Sequence, residues 1–329
     1  MKIEMGLMGE VQCFVGSYDD AGKPVIRTQT PVFKNLITDA GLDYMENPSS
    51  SQIMLYCHVG VGTTPPTFAD KTLASWLAQT TQTYQSDTQT GSPVEDMQTA
   101  DVVWGSNTRY YKFDPGQAVG NITEVGLSWF SGGTSQLFSR VLVKDAGGNP
   151  TAITVQPGEF LYIAYTVKCY LNAKDVPGTF EYNGEQIPYT VGLTNCTSSY
   201  TGGDLIGAFI AGVSLPRQSN YSARANHRMA EFGTGNSWGS DIAAARKRGH
   251  ILNAGTPVTT YEPYVKGSYE LIHVLTLQPN VGNASGGLGG IQFNNGFMNY
   301  RIQFLAPLKK TIDYTVTFRV SVKWGRYTP

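Results

Sequence analysis

The segment Gly235-Asn236-Ser237-Trp238-Gly239 spells G-x-S-x-G, the string that exposes a serine nucleophile on a sharp strand-to-helix turn in one class of hydrolases. A short capped run follows it, Ser240-Asp241-Ile242-Ala243-Ala244-Ala245-Arg246-Lys247-Arg248-Gly249, with an acid in the first turn, bases in the last and glycine after it. Serine hydrolysis on that motif also needs a parallel β/α frame with an acid and then a histidine further along the chain. The histidines that follow, His250 and His273, fall in a stretch that reads as loop and strand. Ser237 therefore reads as part of a Gly/Ser/Asn loop before a short helix, and no catalytic residue is assigned.

The other chemical candidates fare similarly. His58, His227, His250 and His273 have no acid or cysteine at metal-ligand spacing, and Cys13, Cys57, Cys169 and Cys196 form no C-x-x-C pair, so no metal and no cofactor is expected. Reduced, partly buried thiols are the expectation instead. The run Gly282 to Gly290 is glycine-rich but lacks the Gly-Lys-Ser/Thr of a phosphate cradle, and a mobile surface loop is expected there. Asp19 and Asp20 fall on a hairpin tip and Glu95 and Asp96 in the polar stretch Gln79 to Thr99. A glycosidase needs two acids converging across a cleft. Trp104, Tyr110, Tyr111, Trp129, Tyr261 and Tyr264 border loops and are candidate sugar-stacking rings, although core packing and oligomer contact are the commoner uses of such residues. The ligand-binding residues stay unknown.

The elements that must position these groups are strands. Charged residues are 15% of the 329 residues and hydrophobic residues 41%, with 37 Gly and 19 Tyr. That palette suits strands and turns. With 24 basic and 25 acidic residues the net charge is -1, which offers no footprint for nucleic acid or an anionic membrane. A charge-poor surface near neutrality favours association, hence a homo-oligomer. The start, MKIEMGLMGEVQ, lacks a signal-peptide run and no stretch of 18 apolar residues occurs, so a chain made in a cytoplasm and not inserted in a membrane is expected.

Turn chemistry predicts the hairpins. Tyr18 to Pro24, with Gly22, separates Val11–Val15 from Val25–Thr30. Lys144 to Pro150 separates Leu137–Val143 from Thr151–Val155, Gln156-Pro157-Gly158-Glu159 leads into Phe160–Leu171, and Asn183-Gly184 sits between Thr179 and Val191. Short helices are predicted after Thr38 or Asp39 through Met45, over Phe68–Leu77 and over Ser240–Gly249.

An internal echo divides the chain. Phe113-Asp114-Pro115 through Gly120-Asn121 resembles Leu277-Gln278-Pro279 through Gly282-Asn283, strands with Arg140 and Arg301 follow, and each half closes on a similar strand, Tyr162–Leu171 and Asp313–Trp324. The intervals differ by ten residues or more, so shared strand composition accounts for the echo as well as duplication does. The expected fold is mainly β: two β-sandwich-like units of antiparallel hairpins with a few short helices. An N-terminal domain of 1–191 and a C-terminal domain of 204–329 would flank a Gly/Thr/Ser linker at 192–203.

The strings Asn35-Leu36-Ile37-Thr38-Asp39-Ala40-Gly41-Leu42-Asp43, Val59-Gly60-Val61-Gly62-Thr63-Thr64-Pro65-Pro66, Asp70 and Leu73, then Asn121–Leu127, Leu137–Arg140 and the Pro157-Gly158 turn into Tyr165, together resemble the N-terminal part of tailed-bacteriophage structural proteins of the tail-fibre, tail-tip or minor-tail kind. The resemblance covers roughly residues 32 to 171. It implies a virion component that assembles symmetrically in the tail, baseplate, neck or an appendage, with other virion proteins as partners and no catalytic residues. A receptor-binding appendage recognising a host-surface glycan or protein is the alternative. A polysaccharide-degrading enzyme or a serine hydrolase using Ser237 is the less favoured third reading.

Overall fold

The computed structural model describes residues 1–46, 53–92, 100–132, 136–194, 226–231, 255–294 and 299–328. Strands make up 57% and helix 2%: the fold is mainly β, as composition implied. Its largest sheet joins β1 (Lys2–Tyr18), β2 (Pro24–Gln29), β3 (Phe33–Lys34), β7 (Thr88–Gly91), β8 (Val102–Phe113), β13 (Phe160–Asn172), β17 (Val258–Tyr261), β18 (Glu270–Leu277) and β21 (Val316–Arg326), in the order β17-β18-β21-β1-β13-β8-β7 with β2 and β3 beside β1. A second sheet runs β4 (Leu36–Ile37), β11 (Leu137–Leu142), β10 (Glu124–Ser128), β5 (Tyr56–Gly60), β6 (Trp76–Thr80). A third runs β14 (Val176–Tyr182), β15 (Glu185–Leu193), β20 (Asn299–Leu308), β19 (Leu288–Asn294), β16 (Asn226–Glu231). A two-stranded ladder pairs β9 (Gly120–Ile122) with β12 (Ile153–Val155).

Alternation decides which face of the large sheet is covered. Along β1, Ile3, Met5, Leu7, Val11 and Cys13 are buried while Lys2 and Glu4 are exposed, the period of two that a one-sided sheet requires. Both smaller sheets pack on that buried face. Tyr165 of β13 shares a hydrogen bond with Ser139 of β11, and Phe318 of β21 lies 5.6 Å from Phe304 of β20. One continuous hydrophobic core results. On the opposite face half-buried polar and aromatic side chains pair with one another, Glu10 with Lys168 at 2.9 Å and Tyr170 stacked on Tyr327.

The strand order repeats. The path β8, β10, β11, β13 leaves the large sheet, makes an antiparallel pair in the second sheet and returns beside its start; β18, β19, β20, β21 does the same with the third sheet. The covering sheets match as β4-β11-β10-β5 and β15-β20-β19-β16. β13 is antiparallel to β1 and β21 parallel to it, so the equivalent strands run oppositely on its two sides, as a half-turn normal to the sheet requires. The echoed segments occupy equivalent places: Gln117 N–H donates to Asp114 C=O after β8, and Val281 N–H to Gln278 C=O after β18. The repeat passes from one unit to the next between β13 and β14, ahead of 192–203, and both units contribute to the large sheet. Gly192 and Leu193, at the start of the expected linker, belong to β15. Gly192 is there because a Cβ would stand 2.3 Å from an Asp175 carboxylate oxygen. Residues 195–203 lie outside the described residues.

Local signals fared unevenly. The β1–β2 and β14–β15 hairpins form as expected, with positive φ at Gly22, Asn183 and Gly184. The turn at 144–150 also forms, with Asp145 N–H on Asn149 C=O and Thr151 N–H on Val143 C=O, but its arms then part, β11 to β10 and β12 to β9. Helix α1 (Asp39–Tyr44) begins at the predicted cap, where the Thr38 hydroxyl accepts from Gly41 N–H at 2.9 Å. Gly41, a poor helix former, is there because a Cβ would meet the Phe138 carbonyl oxygen at 2.4 Å. The helix expected over Phe68–Leu77 is absent: 61–75 is a loop and Trp76 opens β6. The polar stretch Gln79 to Thr99 is in its described part paired to its own chain, through β7 and through Tyr84 N–H to Tyr110 C=O. The predicted helix at 240–249 lies outside the described residues.

Candidate functional site

The segments that carry the phage-protein resemblance meet in space. Glu124 of β10 and Arg140 of β11 point away from the large sheet, opposite in direction to Val125 and Ser139, and the 61–75 loop lies over them. Arg140 donates through Nε to Glu124 at 2.9 Å, through Nη1 to Asp70 at 2.6 Å and through Nη2 to the Thr64 carbonyl at 2.8 Å. Glu124 also accepts the backbone N–H groups of Gly62 at 3.0 Å, Ala74 at 3.0 Å and Ser75 at 2.8 Å. Every guanidinium nitrogen and both Glu124 oxygens are used, as a buried pair requires. The backbone N–H groups of 74 and 75 are thereby withdrawn from any helix, which is why the Leu73, Trp76, Leu77 spacing misled. A second group of motif residues lies between the layers, where the Tyr165 hydroxyl bonds Asn35 and Ser139.

This clasp fixes a loop that presents two large apolar side chains among exposed threonines and Lys71. Val61 and Phe68 are exposed, Phe68 carrying the Arg326 guanidinium 3.8 Å over its ring. At the start of β6, Trp76 is 43% exposed and nearby Phe130 is 54% exposed. His58, itself buried, joins them: Trp76 Nε1–H donates to His58 Nδ1 at 3.0 Å, and His58 Nε2 lies 3.2 Å from the Phe130 carbonyl. That geometry makes Nε2 the protonated nitrogen of a neutral ring. Burial pushes its pKa down to about 4 against the pull of the Phe130 carbonyl. The sign follows. Between the unfolded value of 6.5 and about 4 the unfolded chain takes up a proton that the native one refuses, so stability present above pH 6.5 is lost as pH falls. The loss from this group is on the order of 3 kcal/mol. Urea unfolding at pH 7, 5 and 4 should show a shallower decline in His58→Gln than in the wild type; equal slopes exclude the assignment.

Comparison with protein-family models, curated proteins and solved structures gives no match. The chemistry of the site therefore rests on its own geometry, which positions chain segments.

Tyr111 is buried and its hydroxyl donates to the Met54 carbonyl; Trp129 is buried and stacked on Tyr44 at 3.9 Å. Trp104 sits under Lys168, Tyr110 bonds Thr88, Tyr261 packs on His273, and Tyr264 bonds Asp43. All six have intramolecular roles. Among the described residues the exposed rings are instead Phe68, Trp76 and Phe130, with Tyr18 and Tyr314 at the margin, and only the Gly/Ser-rich stretch after Phe130 hinted at one of them. Cys13, Cys57 and Cys169 are buried free thiols, Cys13 pushed up to about 12 by burial. Asp19 caps its own turn, accepting Ala21 N–H and Lys23 N–H. The Gly282–Gly290 stretch, expected as a mobile surface loop, is instead tied into the fold: buried Lys310 donates to the Pro279 carbonyl and Asn283, and Leu288 opens β19. Among the described residues no group of three or more His, Cys, Asp and Glu could hold a metal. Ser237, His250, Cys196, Glu95 and Asp96 lie outside the described residues, as does the side chain of His227.

Proposed function

We propose that this chain is a structural component of a tailed-phage virion, assembling symmetrically with copies of itself and with other tail, neck or baseplate proteins. The observation that carries the reading is the clasp. The residues of the resemblance are spent on an Arg140–Glu124–Asp70 cluster that holds the 61–75 loop, in which Val61 and Phe68 are exposed, next to exposed Trp76. A preorganised surface loop loses little entropy when a partner covers it, and Trp and Phe are rings that interfaces favour. Mass measurement in solution tests it. The wild type should form a discrete oligomer at micromolar concentration, and Trp76→Ser with Phe130→Ser should lower its mass while circular dichroism is unchanged. A monomer up to about 100 µM removes the self-assembly.

The same exposed rings are what favours the receptor-binding reading, because an aromatic face stacks on a sugar ring. Binding of the labelled protein to host-cell polysaccharide, lost in Trp76→Ala, would place recognition ahead of architecture.

A further inference from the structure

A strand at the edge of a sheet offers unpaired N–H and C=O groups to another chain, and proteins blunt such edges with proline, charge, a bulge or a cover. The three larger sheets show these devices at nearly every edge. β14 carries Pro177 and Glu181. β2 carries Pro24 and a bulge: Gly16 faces Ile26 while Val15 faces Thr28, which leaves Arg27 as the extra residue. β6 is bulged at Leu77 in the same way, between Trp76 opposite Gly60 and Ala78 opposite Val59. β16 is covered where Met229 N–H reaches the Gly255 carbonyl. On β17, Thr259 and Tyr261 have further interactions, and β4 has only two residues.

β7 has none of them. Thr88-Gln89-Thr90-Gly91 contains no proline and no charge, and it pairs with β8 without a register shift. Which of its groups are free follows from the ladder. Ser92 N–H bonds the Trp104 carbonyl, and the pairs Thr90–Ser106 and Thr88–Thr108 continue that register. In an antiparallel ladder alternate residues turn both backbone groups to the partner strand, so Thr88, Thr90 and Ser92 face β8 while Gln89 and Gly91 face away. Among the described residues no backbone group meets those of Gln89 and Gly91.

We propose that β7 pairs with β7 of a second copy, antiparallel about a two-fold axis at Thr90, so that the large sheets of two protomers run on as one. Gln89 of each copy then faces Gly91 of the other, each pair exchanging both its N–H···O bonds, and Thr90 faces Thr90, a favourable cross-strand pair. An isologous contact needs a surface complementary to itself, and an uncharged strand meets its own copy without like charges opposed. The pairing presupposes the self-assembly proposed above and supplies one of its contacts.

Amide hydrogen exchange, measured beside mass in solution on the full chain, tests it. Gln89→Pro removes a donor that the β7–β8 ladder does not use, and Thr90→Lys sets two cations face to face at the axis. Each should lower the mass while circular dichroism is unchanged. In the wild-type oligomer the Gln89 and Gly91 amides should exchange at least about tenfold more slowly than in Thr90→Lys at the same concentration. Fast exchange of both amides in an oligomer, or a wild-type mass in either variant, overturns this contact and leaves the self-assembly standing. A wild-type monomer up to about 100 µM overturns both. If one variant does not fold, the other decides alone.

Discussion

Arg140→Ala should lower the unfolding free energy by about 3–5 kcal/mol, because it leaves the Glu124 carboxylate buried with its countercharge removed. Glu124 keeps three backbone N–H donors, which places the expected loss toward the lower end of that range. Arg140→Lys should lose less, since it keeps the charge but cannot reach Glu124, Asp70 and Thr64 together. Removing both charges with Arg140→Met and Glu124→Leu should not restore stability. That exchange works where a pair serves only itself, and here it would orphan the N–H groups of Gly62, Ala74 and Ser75 at about 1–3 kcal/mol each. Asp70 adds a pH signature. Burial raises its carboxyl, but hydrogen bonds from Thr67 and Arg140 outweigh burial and hold it below the ordinary 3.8. Its share of stability is present above that value and is lost as pH falls through the lowered one; without Arg140 that share is smaller. Urea unfolding supplies the free energies, and trypsin cleavage at exposed Lys71, faster in Arg140→Ala, reports release of the loop. An Arg140→Ala protein within about 1 kcal/mol of the wild type would mean that the cluster is screened as a surface pair would be.

Much of the strand framework was legible because its signals are local. Gly22 and Asn183-Gly184 each sit in the turn they specify, and Thr38 caps the helix it precedes. What misled was settled at a distance. The helical spacing over 68–77 was overridden by Glu124, about 50 residues away, and Arg140 finds Asp70 at a separation of 70 residues. Gly192 looked like linker composition because a glycine required by close approach to Asp175 reads the same as one in a flexible segment. The motif residues were visible as motifs, but nothing local assigned them to one clasp.

Arg301→Ala should cost about as much as Arg140→Ala, about 3–5 kcal/mol, for a parallel reason. Arg301 stands on β20 facing away from the large sheet, since Ile302 and Phe304 point into the core. It bonds Asp175, ahead of β14, and the Leu193 carbonyl, so it ties both ends of the β14–β15 hairpin to the middle of the third sheet. The shape of the transition separates two pictures of the chain. If the units were independent domains, Arg301→Ala would lower a second midpoint and leave a first unmoved. The pairing predicts otherwise: β1 lies between β13 and β21, the Trp324 indole donates to the Leu42 carbonyl at 2.7 Å, and Tyr264 and Tyr269 bond Asp43 and Asp39 of α1. Opening either unit exposes the flank of the other. A single transition should therefore shift as a whole in both Arg140→Ala and Arg301→Ala, with calorimetric and van't Hoff enthalpies equal in each. A split endotherm in Arg301→Ala would show that the shared sheet does not couple the repeats, and the half-turn relation would then describe two domains that merely touch.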